Sequence, residues 1–257
     1  MGWVENTRHA VRAELIAFGR WFRLGYRRAT MGWLRRSAAF LFAILVPLPI
    51  ALLLIFRFFP LPMTPEMLLR LASLQPVHQT WLPLTGMSPS LPRAVIAAED
   101  ENFCHHHGFD WKSIDDALQK HRRHPHRLLR GASTISQQTA RTLFLLPVRS
   151  WIRKGLEAYL TVLVEALWPK KRILTAYLNL VDWGHGNYGA EAASRAYFHK
   201  SASELSAAEA ARLAAVLPNP DEWRAAVPGP YVLARSGTLA ARAGEVVRDG
   251  LDRCVKT

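Results

Sequence analysis

The chain has 257 residues, half of them hydrophobic, and a formal net charge of +13. That length accommodates a membrane segment plus one sizeable domain, and the arginine excess suits an anionic partner: nucleic acid, an anionic membrane surface or a phosphate-bearing substrate. Cys104 and Cys254 are the only cysteines; two so far apart make neither a disulfide framework nor a zinc site, and they leave the redox compartment unread.

Residues 1–36 carry eight arginines against two glutamates, with Trp3, Trp21, Phe22, Tyr26 and Trp33 among them. Aromatics among arginines can bind nucleic acid, but the following segment accounts for them better, and no nucleic-acid partner is expected. Ala38 to Phe56 is an unbroken run of nineteen uncharged, almost wholly apolar residues. At ~1.5 Å per residue such a helix spans close to the ~30 Å hydrocarbon core of a bilayer. Pro47 and Pro49 lie inside the run, where lipid tolerates them better than water does. The arginines ahead of the run place the N-terminus in the cytoplasm and the remainder outside. A cleaved signal peptide fits less well, because the apolar run is too long and no clear small-x-small site follows it. The expected organisation is a cytoplasmic basic segment (1–36), a single transmembrane helix (37–59) and an extracytoplasmic domain (60–257).

Prolines between Phe58 and Pro65 mark a short linker. Thr64-Pro65-Glu66 supplies an N-cap, a proline for the first turn and an acid beside the helix dipole, predicting a helix over Met67 to Leu74. Pro83, Pro89 and Pro92 punctuate an irregular stretch, and Pro92 opens the helix that leads to the segment AVIAAEDENFCHHHGFD, Ala94 to Asp110. There an apolar run ends abruptly in Glu99-Asp100-Glu101. Carboxylates directly behind a buried helical turn are costly unless they do chemistry. Glu99 sits closest to the apolar residues, so desolvation can lift its pKa toward that of a general base; a helix end with solvated acids is the plain alternative. The histidines at 105–107 and in His121 to Arg127 match no standard metal-ligand spacing, and the latter run reads as a solvated basic loop.

The second informative stretch is RGASTISQQTARTLFLL, Arg130 to Leu146. Gly131 permits a tight turn or close backbone approach, and Ser133 or Thr134 can cap the helix that follows. Ser133, Gln137 and Arg141 fall at i, i+4 and i+8, a polar stripe ending in a cation. Adjacent glutamines, Gln137 and Gln138, make an odd solvent face. The third stretch, Arg149 to Glu165, repeats the spacing with Arg149, Arg153 and Glu157, with Lys154 alongside. Three cations beside a second carboxylate suit a pyrophosphate; a surface salt-bridge ladder is the alternative.

Together these stretches resemble the family 51 glycosyltransferases, which polymerise peptidoglycan. Glu99-Asp100, Phe103, His106 and Gly108 match the family's first motif, and Gly131 to Gln138 the second almost letter for letter. Arg149-Ser150, Arg153-Lys154 and Glu157 match the third. Lys171, Ile173 and Tyr177-Leu178-Asn179 match the fourth, and Glu209-Ala210-Ala211 through Leu217-Pro218-Asn219-Pro220 the fifth. The similarity runs from about Trp81 to Pro220 in one order. Departures are specific: Arg141 and Thr142 replace a usual lysine and asparagine, Leu156 a frequent cation, His105 a common acid and Asp182 a common glutamate. Arg141 keeps the charge but changes the donor geometry.

The resemblance implies a mainly α fold: a single N-terminal transmembrane helix and a lysozyme-like α-helical glycosyltransferase domain with a small membrane-proximal jaw. It implies lipid II and the growing glycan strand as substrates, at the inner membrane, with the catalytic domain in the periplasm. Membrane lipid and proteins of cell-wall synthesis or division are the implied partners. Glu99 and Glu157 are the expected catalytic residues. Asp100, His106, Gly131, Ser133, Gln137, Gln138, Arg141, Arg149, Arg153 and Lys154 are the expected substrate contacts. In the family a divalent cation, Mg2+ or Mn2+, can share the stabilisation of the leaving group; its ligands are not readable here, although Glu157 could help hold it. Gly184, Gly186 and Gly189 read as a flexible turn and lack a Walker lysine, Ser206 and Glu209 as a capping box, and the chain beyond Pro220 as one or two packing helices. A lysozyme-like hydrolase is the rival enzyme, and a basic membrane-anchored scaffold the rival non-enzyme. A transpeptidase is not expected, because no Ser-x-x-Lys occurs.

Overall fold

The computed structural model describes residues 33, 35–124, 133–148 and 150–256. The chain forms two units, residues 1–52 and 53–257. Helix α1, Arg35–Phe56, has 22 residues and is apolar enough to cross a membrane. The sequence boundary of 37–59 therefore shifts toward the N-terminus, because residues 57–59 leave the helix as a turn.

The larger unit is mainly helical. After α1 come α2 (Pro65–Ala72), a short strand β1 (His78–Gln79), α3 (Ser90–Glu99), α4 (Trp111–Arg123) and α5 (Ile135–Phe144). Then follow α6 (Trp151–Leu167), α7 (Lys170–Leu180), β2 (Asn187–Tyr188), α8 (Ala190–Phe198), α9 (Ala207–Val216) and α10 (Pro230–Arg248). The strands pair in parallel, His78 with Asn187 and Gln79 with Tyr188. The predicted starts of α2 and α9 are found in place: Thr64 caps Met67, and Ser206 forms a capping box with Glu209. α3 begins two residues before the expected Pro92, which sits inside its first turn. α4 continues through Arg123, so the first part of the expected basic loop is helical; residues 125–130 lie outside the described residues.

Two helical groups surround the core. α5 packs on α6 and α7, while α3 packs on α9 and α10. In α7 every side chain from Ile173 to Leu180 is buried, and α3 buries Leu91, Pro92 and Ala94 to Ala97. The last carbonyls of α1 also accept from side chains at the end of α6 and in α7. Trp168 Nε1 donates to the Leu53 carbonyl at 2.6 Å, and Arg172 Nε to that of Phe56 at 2.9 Å. The Arg172 guanidinium also lies over the rings of Trp81 and Trp168, a cation placed favourably at a helix C-terminus.

The turn holding Gly184, Gly186 and Gly189 is packed rather than flexible. All three have positive φ; a Cβ at Gly184 would lie 2.1 Å from the Pro220 carbonyl oxygen, and one at Gly189 2.6 Å from that of Asn179. These close backbone approaches require glycine. The cysteines also correct the sequence reading: Cys104 and Cys254 form a disulfide across 150 residues of chain. Their spacing hides the pairing because α10 doubles back along α3. A cross-link closing so long a loop typically contributes ~2–4 kcal/mol.

Candidate active site

Glu99 is the last residue of α3, directly behind that helix's buried apolar residues. Gln138 Nε2, from α5, donates to Glu99 Oε2 at 2.8 Å. The hydroxyl of Tyr177, from α7, donates to Gln138 Oε1 at 3.2 Å. Tyr177 thereby fixes the amide orientation, so that the NH2 group faces the carboxylate. Burial pushes the Glu99 carboxyl above its ordinary value, with Asp100 adding to the rise; the Gln138 hydrogen bond and the charges of Arg235 and Arg141 oppose it. Burial holds the Tyr177 phenol well above its ordinary value, so it stays a neutral donor.

Gln138 and Tyr177 line a groove of about 380 Å³ together with Glu66, Arg70, Arg141, Arg153, Asp182 and Asp221. Arg141 lies one turn along α5 from Gln138 and is exposed to the groove. Arg153 and Lys154 come from the first turn of α6, which Ser150 caps. Arg153 Nη1 donates to Glu157 Oε2 at 2.5 Å, Lys154 Nζ pairs with Glu157 Oε1, and Lys154 also reaches Ser133 Oγ at 3.3 Å. Glu157 is only 2 % exposed, so this carboxylate fixes two cations from below rather than meeting solvent. The Arg153 Nε is buried without a hydrogen-bond partner among the described residues.

Several expected substrate contacts are turned inward. Asp100 accepts from Ile135 N–H at 2.9 Å and from His106 Nε2 at 2.9 Å. His106 Nδ1 in turn accepts from Gly108 N–H at 3.1 Å, which assigns the ring proton to Nε2. The pair thus ties the loop after α3 to the start of α5, and its polar atoms are spent on that tie. The stripe Ser133–Gln137–Arg141 also divides. The helix starts only at Ile135, so Ser133 stands outside the helical register. Gln137, at the third position, folds back to accept from Thr134 N–H at 3.0 Å while Thr134 caps Gln137 N–H. The groove face of α5 is therefore Gln138, Arg141 and Thr142. Gly131 and Arg149 lie outside the described residues.

Among the described residues no group of three or more His, Cys, Asp or Glu is arranged to hold a metal ion. Glu157, the carboxylate expected to help bind a divalent cation, already has a cation on each oxygen. The donor set does not fit a resident metal at Glu157. The groove also contains residues that the sequence did not assign to the site. Arg70 Nη2 pairs with Asp182 at 2.8 Å, and Asp182 accepts from Gly184 N–H at 2.8 Å. Burial raises the carboxyls of both Asp182 and Glu66. The sequence gives Glu66 only a helix-dipole role and Arg70 none; the packing of α2 on α5 brings both to the groove.

A buried carboxylate at a helix end, with cations one helix away, is an arrangement suited to group transfer. The chain belongs to the transglycosylase family, whose model, described as Transglycosylase, matches residues 66–243. It is 46 % identical over 222 residues to the biosynthetic peptidoglycan transglycosylase of Caulobacter vibrioides, covering 86 % of this chain and 96 % of that protein. It is 50 % identical over 223 residues to the protein of that name in Rhodospirillum centenum, covering 86 % and 95 %. A third relative of the same name, from Chromohalobacter salexigens, is 51 % identical over 216 residues, covering 80 % and 92 %.

Proposed function

We propose that this transglycosylase polymerises lipid II into β-1,4-linked glycan strands for the cell wall and releases undecaprenyl pyrophosphate. The observation that carries the reading is the presence of two unlike devices around one groove, which Gln138, Tyr177, Arg141 and Arg153 line. One is a carboxylate lifted by burial and oriented by Gln138 and Tyr177. The other is a cation set, Arg141, Arg153 and Lys154, anchored in part by buried Glu157.

In this mechanism Glu99 takes the proton from the 4-hydroxyl of the acceptor GlcNAc. That oxygen attacks C1 of the donor MurNAc from the face opposite the pyrophosphate, and the C1–O bond breaks with its electron pair passing to the phosphate oxygen. The anomeric centre inverts to β, and the proton on Glu99 returns to water. Gln138 holds the carboxylate in position for the transfer. The pyrophosphate concentrates negative charge as it leaves, and preorganised cations stabilise such charge far better than water does. A glycan hydrolase would also use a buried glutamate, but it has no phosphate for these cations to hold. Incubation of the purified protein with lipid II should yield glycan chains, with one lipid pyrophosphate released per bond formed. Release of saccharide from preformed glycan, without lipid pyrophosphate from lipid II, would establish the hydrolase instead.

The protein acts as a single-pass protein of the inner membrane, with its catalytic unit in the periplasm. Support comes from the arginine excess ahead of α1 and from the Cys104–Cys254 disulfide, a bond that persists in oxidising compartments. Reporter fusions at Arg36 and after Pro65 are expected to signal opposite sides of the membrane; same-side signals would refute the span.

A further inference from the structure

The first turn of α2 carries a carboxylate that its own helix does not use. Thr64 caps α2, and both Thr64 and Met67 are fully buried, so this turn is fixed where α2 packs on α5. Glu66 and Arg70 follow at i and i+4, the spacing of an intrahelical ion pair. The pair is not made. Arg70 turns instead to Asp182 at 2.8 Å and Asp221 at 3.5 Å, and its guanidinium lies 5.8 Å from the centre of the Tyr188 ring. Asp182 accepts from Gly184 N–H, and Asp221 Oδ1 accepts from His185 N–H at 3.0 Å. Arg70 is thus committed to the turns that carry these two acids.

Glu66 is left half-buried in the groove wall, with no hydrogen bond or ion pair among the described residues. It shares the groove with Gln138 and Tyr177, which orient Glu99, and with Arg141, which also has no ion-pair partner among the described residues. A half-buried carboxylate that lacks a donor is costly, and burial raises the Glu66 carboxyl above its ordinary value. The groove therefore offers an unsatisfied acceptor and an unsatisfied cation in one space of about 380 Å³, within the size range of small-molecule sites. A ligand complementary to both presents O–H or N–H groups together with an anion. A glycosyl pyrophosphate has that composition.

We propose that Glu66 is a specificity-determining contact for glycosyl transfer: its carboxylate accepts from a hydroxyl or acetamido N–H of the saccharide held in the groove. The inference rests on the reading of lipid II as the substrate. A site built to hydrogen-bond a ligand group rejects ligands without that group far more sharply than an apolar wall does. An acid in the first turn also favours its helix dipole, but that role needs no ligand and predicts no effect on binding.

The test measures lipid II binding to the full-length protein in detergent, with Glu99→Gln as the background so that substrate is bound and not consumed. Adding Glu66→Ala should weaken binding roughly tenfold, the loss expected for one hydrogen bond to a charged group. Glu66→Gln keeps an acceptor oxygen and should weaken it about threefold. With Glu99 intact, Glu66→Ala should raise KM by the same factor as it weakens binding and leave kcat nearly unchanged. Unchanged binding and KM in Glu66→Ala, whatever happens to the melting transition, would reduce Glu66 to a helix-dipole role and overturn the proposal. Acetylating the peptide amine of lipid II should preserve the difference between proteins with and without Glu66. A difference that vanishes would move the contact to the peptide and overturn the saccharide assignment. If Glu66→Ala does not fold, Glu66→Gln carries the same outcomes. Wild-type protein that binds lipid II without polymerising it would refute the function, and the binding comparison would still decide the role of Glu66. Protein that does not bind lipid II would overturn both.

Discussion

Glu99→Gln is expected to leave the fold intact and to abolish polymerisation. The substitution preserves volume, and the new side chain can still accept from Gln138 through its amide oxygen, so the chain Tyr177–Gln138–residue 99 persists. What disappears is the lone pair that receives the acceptor proton. Loss of a general base costs ~10²–10⁴-fold, and more where the group also positions substrate. The wild-type pH profile carries the same signature. Only the carboxylate form of Glu99 can take the proton, and burial raises its pKa. Activity should therefore fail on acidification at a higher pH than for an ordinary, solvated glutamate. Lipid II turnover and thermal unfolding of the variant check both statements. A Gln variant that turns over near the wild-type rate, with an unchanged melting transition, would remove Glu99 from the chemistry.

Much of this site is legible in the sequence because its chemistry is local. The apolar run into Glu99 gives the base, and the RSWIRKGLE spacing places Arg153 and Glu157 on one face of one helix. Thr64 and Ser206 announce their helices by capping alone. Other features depend on contacts between distant elements and have no local signal. Which of two adjacent glutamines serves the base depends on the start of α5: because Thr134 is the N-cap, Gln137 folds back and Gln138 is presented. Asp100 and His106 share the first motif with Glu99, yet they bond each other and the start of α5. Tyr177 lies 39 residues from the glutamine it orients, and Cys254 150 residues from its partner.

Arg153→Ala is expected to lower polymerisation about a hundredfold while the melting transition moves little. The two effects separate because of how Glu157 is held. Breaking a buried ion pair by removing one partner typically costs 3–5 kcal/mol, because the other charge is left uncompensated. Glu157 is buried but has two cationic partners. With Arg153 gone, Lys154 still neutralises it, and most of that penalty is avoided. The loss to catalysis is not shared in this way. A charge-assisted donor aimed at a leaving group in a water-poor site is worth roughly 3 kcal/mol, or about a hundredfold in rate. Arg153 also lines the groove with a buried Nε that has no partner among the described residues. Glu157→Gln should act in the opposite sense on the fold. It leaves two adjacent cations without their anchor, so the melting transition should fall along with turnover. If Arg153 and Lys154 serve only to neutralise buried Glu157, Arg153→Ala should keep full activity. Assays of lipid II polymerisation and unfolding on both variants, with Arg149→Ala alongside, distinguish the cases. Activity lost in Arg153→Ala at constant stability supports the transferase over the hydrolase, because only the transferase expels a pyrophosphate.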